Sequence, residues 1–376
     1  MEDEARMRIG ILTFHGSHNY GSVLQAYALS TWLKDAGHET EIINLRNAAQ
    51  KRAYRVFQVK GKGIKRILHA AFAVKNYPAA KRRAKRFEDF ITQVLPLSKQ
   101  AYSNGSELRG STDYDVYITG SDQVWNPACQ DFESAYYLDF VPDGAKRIAY
   151  APSLGRAEFS DEKTDLIRNL LKNIDVISCR EEAGASLLRR LTDKPVSVVC
   201  DPVVLLGREK WEAFAAPSGI KEPYILTYFL ENNNGTKALL PELQRLTGYR
   251  VVSLNEDLRD IGKGYIQAYD ASPERFVGLF RDAAFVLTNS FHGTAFSTIF
   301  QRPFFTVIGP AHSANNNDSR KTDYLRGLAL EDRLVSDEHL THKPLSIDYS
   351  EAGMRMEKMR NAAAQYLTNA VEGEQA

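Results

Sequence analysis

The pentapeptide Asn289-Ser290-Phe291-His292-Gly293 stands between an apolar run ending at Thr288 and a second apolar run from Thr294 to Phe300. This pattern predicts a strand, a tight loop and a helix, with the His292 imidazole held at the helix N-terminus. An imidazole there can hand over a proton near neutral pH, and the free N–H groups and dipole of the helix end favour an anion. Ser290 adds a hydroxyl, and Gly293 would let a ligand approach the backbone closely. A histidine with only a structural role is the alternative. Arg180 follows the strand-like run Asp175–Cys179, where a guanidinium can grip a carboxylate or phosphate in bidentate fashion. Its alternative is an ion pair with Glu181 or Glu182. Arg320 and Lys321, ahead of a helical stretch, make a second anion contact. Asp122, just past the run Asp115–Gly120, suits a general base, or a side chain that caps its own turn.

Groups suited to a neutral polyol accompany these. Trp125 could lend its face to a sugar ring or fill a core, and Ser153 lies in a loop that would line the same cleft. The loop Phe14–Asn19 opens a helix, with Ser22 expected as its cap and Gly37 ending it. The spacing of Gly16 and Gly21 fits neither a dinucleotide fingerprint nor a triphosphate loop. Asn19, Gly21 and Gln25 are therefore assigned to recognition of a sugar acceptor or to the shape of the cleft. His15 and His18 lack a third ligand nearby in sequence, so no metal is expected.

What must position these residues is an alternation of short β-branched runs with amphipathic stretches, the mark of parallel βαβ units. Strands are expected at RIGILTF, TEIINL, DVYITG, RIAYAPS, DVISC and VSVVCDP, then at YILTYFL, YRVVSLNE, AAFVLTN and FFTVIG. Two such series predict an α/β protein of two Rossmann-like domains facing a cleft, residues 1–205 and 206–345, with a terminal helix in 346–376. Ligands of open α/β sheets bind beyond the carboxyl ends of strands, where every candidate above lies.

Composition narrows the class. The 376 residues are 43% hydrophobic and 25% charged with a net charge of +1, which excludes a disordered tail or a wholly basic nucleic-acid binder. Met1–Arg6 is polar, so no secretory leader is expected. Cys129, Cys179 and Cys200 form no metal-type pair and read as core thiols of a cytoplasmic protein. From Lys51 to Arg86 the chain is rich in Lys and Arg and has no Asp or Glu, which predicts a basic helical insertion in the first domain. Such a helix either presents a solvated cationic face or holds the protein at the inner face of the plasma membrane through anionic lipid.

In order, NYGSVLQAYAL, YDVYITGSDQVWNP, AYAPSLG, ISCREEAGASLL, VVCDPVVLL, TNSFHGTAFSTIF and NNNDSRKTDYL resemble the polysaccharide pyruvyl transferase family from about Met7 to about Leu330. The resemblance implies a glycosyltransferase-B-like fold. It also implies transfer of pyruvyl from phosphoenolpyruvate to two hydroxyls of a sugar, in a cell-surface polysaccharide or capsule or its lipid-pyrophosphate-linked precursor, with phosphoenolpyruvate as co-substrate and no further cofactor. It carries the donor site onto His292 and Arg180. Where many relatives have Arg-Leu-His, this chain has Ser290-Phe291-His292, so the missing cation is expected from Arg320 or Lys321. Such a transfer needs an acid, a base and a clamp for two anionic groups, and these are assigned to His292 as acid or phosphate contact, Asp122 as base and Arg180 with Arg320 as clamp. Two other readings are a nucleotide-sugar glycosyltransferase of the same architecture and a non-catalytic glycan-binding relative. Against the first, Phe285–Pro303 holds no Asp or Glu, whereas retaining glycosyltransferases place a carboxylate pair near the final nucleotide-binding helix.

Overall fold

The structure, a computed structural model, describes residues 6–54, 56, 63–156, 158–230, 234–257, 260, 262–308, 319–336 and 340–373. Among these, the first seven strands are β1 (Arg8–Leu12), β2 (Glu39–Leu45), β3 (Leu97–Tyr102), β4 (Val116–Thr119), β5 (Lys146–Ala149), β6 (Val176–Cys179) and β7 (Val196–Val198). They form one parallel sheet in the order β3-β2-β1-β4-β5-β6-β7. A second parallel sheet has the order β10-β9-β8-β11-β12-β13. It is built from β8 (Tyr224–Tyr228), β9 (Arg250–Ser253), β10 (Ile266–Gln267), β11 (Phe285–Thr288), β12 (Phe304–Val307) and β13 (Leu334–Val335). Both sheets are Rossmann-like, and each reverses its winding direction between its first and fourth strands. That reversal opens a crevice beyond β1/β4 and another beyond β8/β11.

Helices α1 (Tyr20–Asp35), α2 (Ala48–Ala53), α3 (Gly63–Gln93), α4 (Asp161–Leu171), α5 (Glu182–Arg189) and α6 (Pro202–Leu206) accompany the first sheet. The remainder are α7 (Arg208–Phe214), α8 (Asn234–Thr247), α9 (Pro273–Asp282), α10 (Phe291–Ile299), α11 (Ser319–Gly327) and α12 (Ser350–Glu372). The central strands β4, β8, β11 and β12 are buried at every residue, as expected of parallel strands covered on both faces. All ten strands expected from sequence form. Strands β3, β10 and β13 were not expected, because β3 carries exposed Lys99 and Gln100 and the other two are only two residues long.

Helix α1 is buried from Tyr20 to Gln25 because it packs between its own sheet and the second domain. The Tyr20 ring stacks on Phe276 of α9 at 4.1 Å, and its hydroxyl donates to Ala271 O at 2.7 Å. Asn19, not the expected Ser22, caps this helix, its Oδ1 accepting from Gly21 N at 2.9 Å. The terminal helix α12, whose docking the sequence left open, returns to the first sheet, where Tyr366 Oη donates to Ala149 O at 3.0 Å.

The basic segment forms α2 and α3; Arg55, Lys60 and Lys62 and the side chains of Lys65 and Arg66 lie outside the described residues. The end of α3 reaches the second domain. Arg82 pairs with Asp270 at 2.6 Å, Arg86 approaches the same carboxylate at 3.4 Å, and Arg83 donates to Tyr20 Oη at 2.7 Å and Tyr269 O at 2.8 Å. These three arginines therefore hold two domains together, a use that charge patterning along the chain does not disclose.

Candidate active site

Four loops meet where the two sheets face each other: those following β4, β6 and β7 of the first domain, and that following β11 of the second. At their meeting point lies Asp201, fully buried at the carboxyl end of β7. Its Oδ1 accepts from Val203 N at 3.0 Å, capping α6, and its Oδ2 accepts from Arg180 Nη1 at 2.5 Å and from Ser121 Oγ at 3.1 Å. His292 Nε2 lies 3.5 Å from the same oxygen. Burial alone would raise the carboxyl pKa of Asp201, but His292 and then Arg180 outweigh it and hold the group well below the usual carboxylate range. Sequence reading missed this residue, although it stands just past an apolar run, where the other candidates were sought; its place at a presumed domain boundary concealed it.

Arg180 stands ahead of Glu181, the residue that precedes α5. Its guanidinium lies over the Phe291 ring at 4.6 Å, with Asp122 Oδ1 at 3.9 Å from Nη2 and Glu181 Oε2 at 4.0 Å from Nε. Of the expected alternatives, Glu182 pairs elsewhere, with Arg189 at 2.5 Å. Arg180 Nε and Nη2, Glu181 Oε2 and His292 Nε2 are all buried and make no hydrogen bond. Such groups are costly when left unmatched, and a binding or catalytic role is one reason for a fold to keep them. Glu181 Oε1 accepts from Ser153 Oγ at 2.9 Å and Leu154 N at 3.0 Å, and burial raises its pKa.

His292 is reached from the first domain as well. A Cβ on Gly21 would stand 2.0 Å from His292 Nδ1, so the glycine is what lets α1 close against the imidazole. Gly21→Ala is therefore expected to displace His292 and lower turnover at least about tenfold, with unchanged circular dichroism. Steady-state kinetics check this, and wild-type turnover would show that the ring is free to shift.

Asp122 adopts φ 67°, a left-handed conformation that Asp tolerates better than most residues. Its Oδ1 accepts from Gln123 N at 2.9 Å and its Oδ2 from Ser22 Oγ at 2.6 Å, so it caps its turn and ties α1 to it while staying beside Arg180. Ser290 Oγ caps α10 by accepting from Gly293 N at 3.3 Å. Gly293 does not make room for a ligand, because a Cβ there would meet Thr288 Oγ1 at 2.4 Å inside the domain. Lys321 Nζ donates to Asn289 O at 3.1 Å, behind the histidine loop. The Arg320 guanidinium nitrogens lie 2.7 and 3.1 Å from the Gln123 amide, whose oxygen belongs on that side.

Most of the residues assigned to sugar are used internally. Trp125 is fully buried, stacked on Tyr137 at 4.6 Å with Nε1 donating to Tyr136 O, and has no face to offer. Gln25 is also fully buried; Nε2 donates to Thr13 Oγ1 and Ser22 O, and Oε1 accepts from Ser121 N. Ser153 is buried against Glu181, and Asn19 serves as the cap of α1.

His15 and His18 do not share a ligand. His15 Nε2 faces Asn44 Oδ1 at 3.2 Å and His18 Nε2 faces Glu88 at 2.9 Å. Among the described residues no group of three His, Cys, Asp or Glu side chains could hold a metal ion. Burial, aided by Arg46, lowers the His15 pKa to about 4. The unfolded chain thus binds a proton that the folded chain refuses as pH falls from the ordinary histidine value towards 4. About 3 kcal/mol of stability should be lost over that window and no more from this group below it. Urea midpoints at several pH values check this, because His15→Asn should flatten the dependence.

The polysaccharide pyruvyl transferase family model matches residues 19–312. No curated protein matches the chain significantly. Among solved structures, the chain resembles a Listeria monocytogenes protein described as a UDP-N-acetylglucosamine 2-epimerase, with TM-score 0.51, 10% identity and coverage of 98% of this chain and 96% of that one. It also resembles the S. aureus MnaA–UDP co-structure, with TM-score 0.50, 11% identity and the same coverage. At such identity the likeness concerns the fold of two facing Rossmann-like domains.

Proposed function

From the premise that this chain belongs to the polysaccharide pyruvyl transferase family, we propose that it transfers a pyruvyl group from phosphoenolpyruvate to two hydroxyls of one sugar, releasing phosphate and leaving a cyclic ketal. The observation that carries this reading is a set of nitrogens without a hydrogen bond on two buried side chains at the seam of the domains, Arg180 Nε and Nη2 and His292 Nε2, whose carboxylate neighbours stand 3.5, 3.9 and 4.0 Å away. A small dianion with a carboxylate at one end and a phosphate at the other suits such a set.

A proton delivered to the methylene carbon of phosphoenolpyruvate leaves positive charge at the enol carbon. One sugar hydroxyl attacks that carbon and gives its proton to a base; the carbon–oxygen bond to phosphate breaks with its electron pair on the departing oxygen; the second hydroxyl then adds at the same carbon, gives its proton to the departing phosphate and closes the ring. His292 is the proton donor or phosphate contact, and Asp122, held beside Arg180, is the base. Arg180 keeps one face on Asp201 and turns the other to the donor, with Arg320 and Lys321 completing the clamp and Ser290 and Gly293 shaping the histidine loop. Phosphoenolpyruvate is the sole small co-substrate in this scheme.

Residues 1–205 carry the acceptor side and 206–345 close over the donor. A lipid-linked acceptor at the inner membrane face would suit the exposed Lys75 and Lys81 and the exposed Val74 and Tyr77 of α3. No binding to anionic liposomes at low salt would remove that part. The described helices contain none long and apolar enough to cross a membrane.

Thermal shift tests the central reading. Phosphoenolpyruvate should raise the melting temperature, and a nucleoside diphosphate should not. The opposite result would favour the nucleotide-sugar glycosyltransferase. Phosphate release that needs an added glycan would exclude a binding-only role.

A further inference from the structure

Three segments of the chain meet at Arg83 of α3. Its Nη1 donates to Tyr20 Oη at 2.7 Å and to Tyr269 O at 2.8 Å, and its Nη2 donates to His18 O at 3.2 Å. The guanidinium also lies over the rings of Tyr20, Phe87 and Tyr269, at 4.6, 4.7 and 5.0 Å. A planar fork with fixed N–H directions can serve all three acceptors at once, which an ammonium on a flexible stem cannot. His18 and Tyr20 stand on the side of the first sheet and Tyr269 on the side of the second.

The neighbouring arginines work differently. Arg82 and Arg86 face Asp270 with side chains 56% and 38% exposed, and ion pairs so open to water are worth little and are screened by salt. Arg86 also donates to Asp270 O. Both tie only α3 to the second sheet's side. Arg83, part-buried among aromatic rings, is the one of the three that also holds the opening loop and α1, and each hydrogen bond from a charged group is worth about tenfold or more in an equilibrium.

The consequence reaches the histidine one residue further on. Tyr20 Oη, while accepting from Arg83, donates to Ala271 O at 2.7 Å, and its ring stacks on Phe276, so the first turn of α1 is fixed against the second sheet's side. Gly21 follows, and a Cβ there would stand 2.0 Å from His292 Nδ1. On its other side the imidazole lies 3.5 Å from Asp201. His292 belongs to the second sheet's loops, whereas Gly21 and Asp201 belong to the first. The ring is 6% exposed, and that enclosure depends on the two sides staying together.

We propose that Arg83 is a positioning residue for His292: by tying His18 and Tyr20 to Tyr269 it presses Gly21 on the imidazole and keeps the two halves of the site in register. Its effect passes through Tyr20 and Gly21 and not through contact with substrate. The part it plays in turnover rests on the pyruvyl-transfer reading, but the enclosure is testable in the unliganded chain. Histidine modification by diethyl pyrocarbonate on the full chain, followed peptide by peptide by mass spectrometry, reads it directly. Arg83→Met keeps an apolar stem without the fork and should speed labelling of His292 at least about tenfold. His15 is the internal control. It is fully buried beyond β1, and burial lowers its pKa to about 4, so it is neutral at pH 7 and would react if uncovered. It should stay protected. Arg83→Lys should label at an intermediate rate and Arg82→Ala near the wild-type rate. Turnover should fall about tenfold in Arg83→Met, with circular dichroism unchanged. Continued protection of His292 in Arg83→Met would overturn the proposal. So would labelling of His15 together with His292, because the loss is then one of folding and not of position, and so would wild-type turnover in a chain whose His292 labels fast. If the wild type turns over no phosphoenolpyruvate, the donor reading fails, and labelling still decides whether Arg83 keeps the imidazole enclosed.

Discussion

Asp201→Asn should cut turnover about a thousandfold and destabilise the fold by about 3 kcal/mol, the lower end for breaking a buried ion pair. Asn caps a helix about as well as Asp, so the bond from Val203 N survives and the cost reports on charge. What is lost is the partner of Arg180, whose remaining carboxylates stand at 3.9 Å on Asp122 and 4.0 Å on Glu181. The guanidinium should swing towards them and leave the place where a donor would sit. The pH dependence has a definite sign. A carboxyl held below its ordinary range stabilises the fold above the unfolded Asp pKa and ceases to do so as pH falls through the lower, folded value. The stability gap between wild type and variant should therefore be full at neutral pH and close only in strong acid. The groups facing this carboxylate are His292, Arg180, Cys200, Tyr150 and Tyr324, and none of the thiol or phenol groups ionises in that acid window. Denaturation at pH 7 and in acid, with initial rates, checks both parts. Wild-type turnover in a folded variant would show that the Asp201–Arg180 pair serves stability alone.

His292→Ala is the second large effect. Loss of a proton donor is commonly worth about 10²–10⁴ in rate. Here Asp201 keeps its bonds to Arg180 and Ser121, so stability should fall much less than in Asp201→Asn. Turnover should therefore collapse while the melting shift produced by phosphoenolpyruvate shrinks without vanishing, since Arg180 still offers two nitrogens. Single-turnover phosphate release gives the first number and thermal shift the second. Near-normal turnover would remove His292 from the chemistry, whatever its position.

The two variants together separate positioning from reaction. Asp201 touches Arg180 directly and lies near His292, but faces no open side. A carboxylate serving only to hold Arg180 and His292 in place should respond to Asp201→Glu with partial recovery, because charge is restored at a slightly wrong length. His292→Gln, which restores an N–H but no titrating nitrogen, should not recover turnover.

Much of the architecture was legible because it depends on neighbours in sequence. Runs such as Phe285–Thr288 and Val116–Thr119 declare buried strands by their own composition, and the loops after them carry Asp122, Arg180 and His292 as parallel topology requires. Short or polar strands escaped because their pairing comes from a neighbouring strand and not from their own pattern. The same limit separates the site residues. Trp125 and Ser153 sit in the right loops and Gln25 in the first turns of α1, yet each points into the domain and satisfies its polar atoms there. A loop position tells which end of the sheet a residue occupies and leaves open which way its side chain turns.

By itself, the sequence determined two parallel α/β units, the membership of the chain in its family, and the strand ends at which chemistry should be sought. Tertiary structure alone brought Asp201 between Arg180 and His292, pressed Gly21 against the imidazole, and turned three arginines of a basic helix into an interdomain contact. The reason is physical: strand and cap signals arise within a few residues, whereas burial, ion pairing and unmatched polar groups arise only when segments far apart in the chain are packed into one volume.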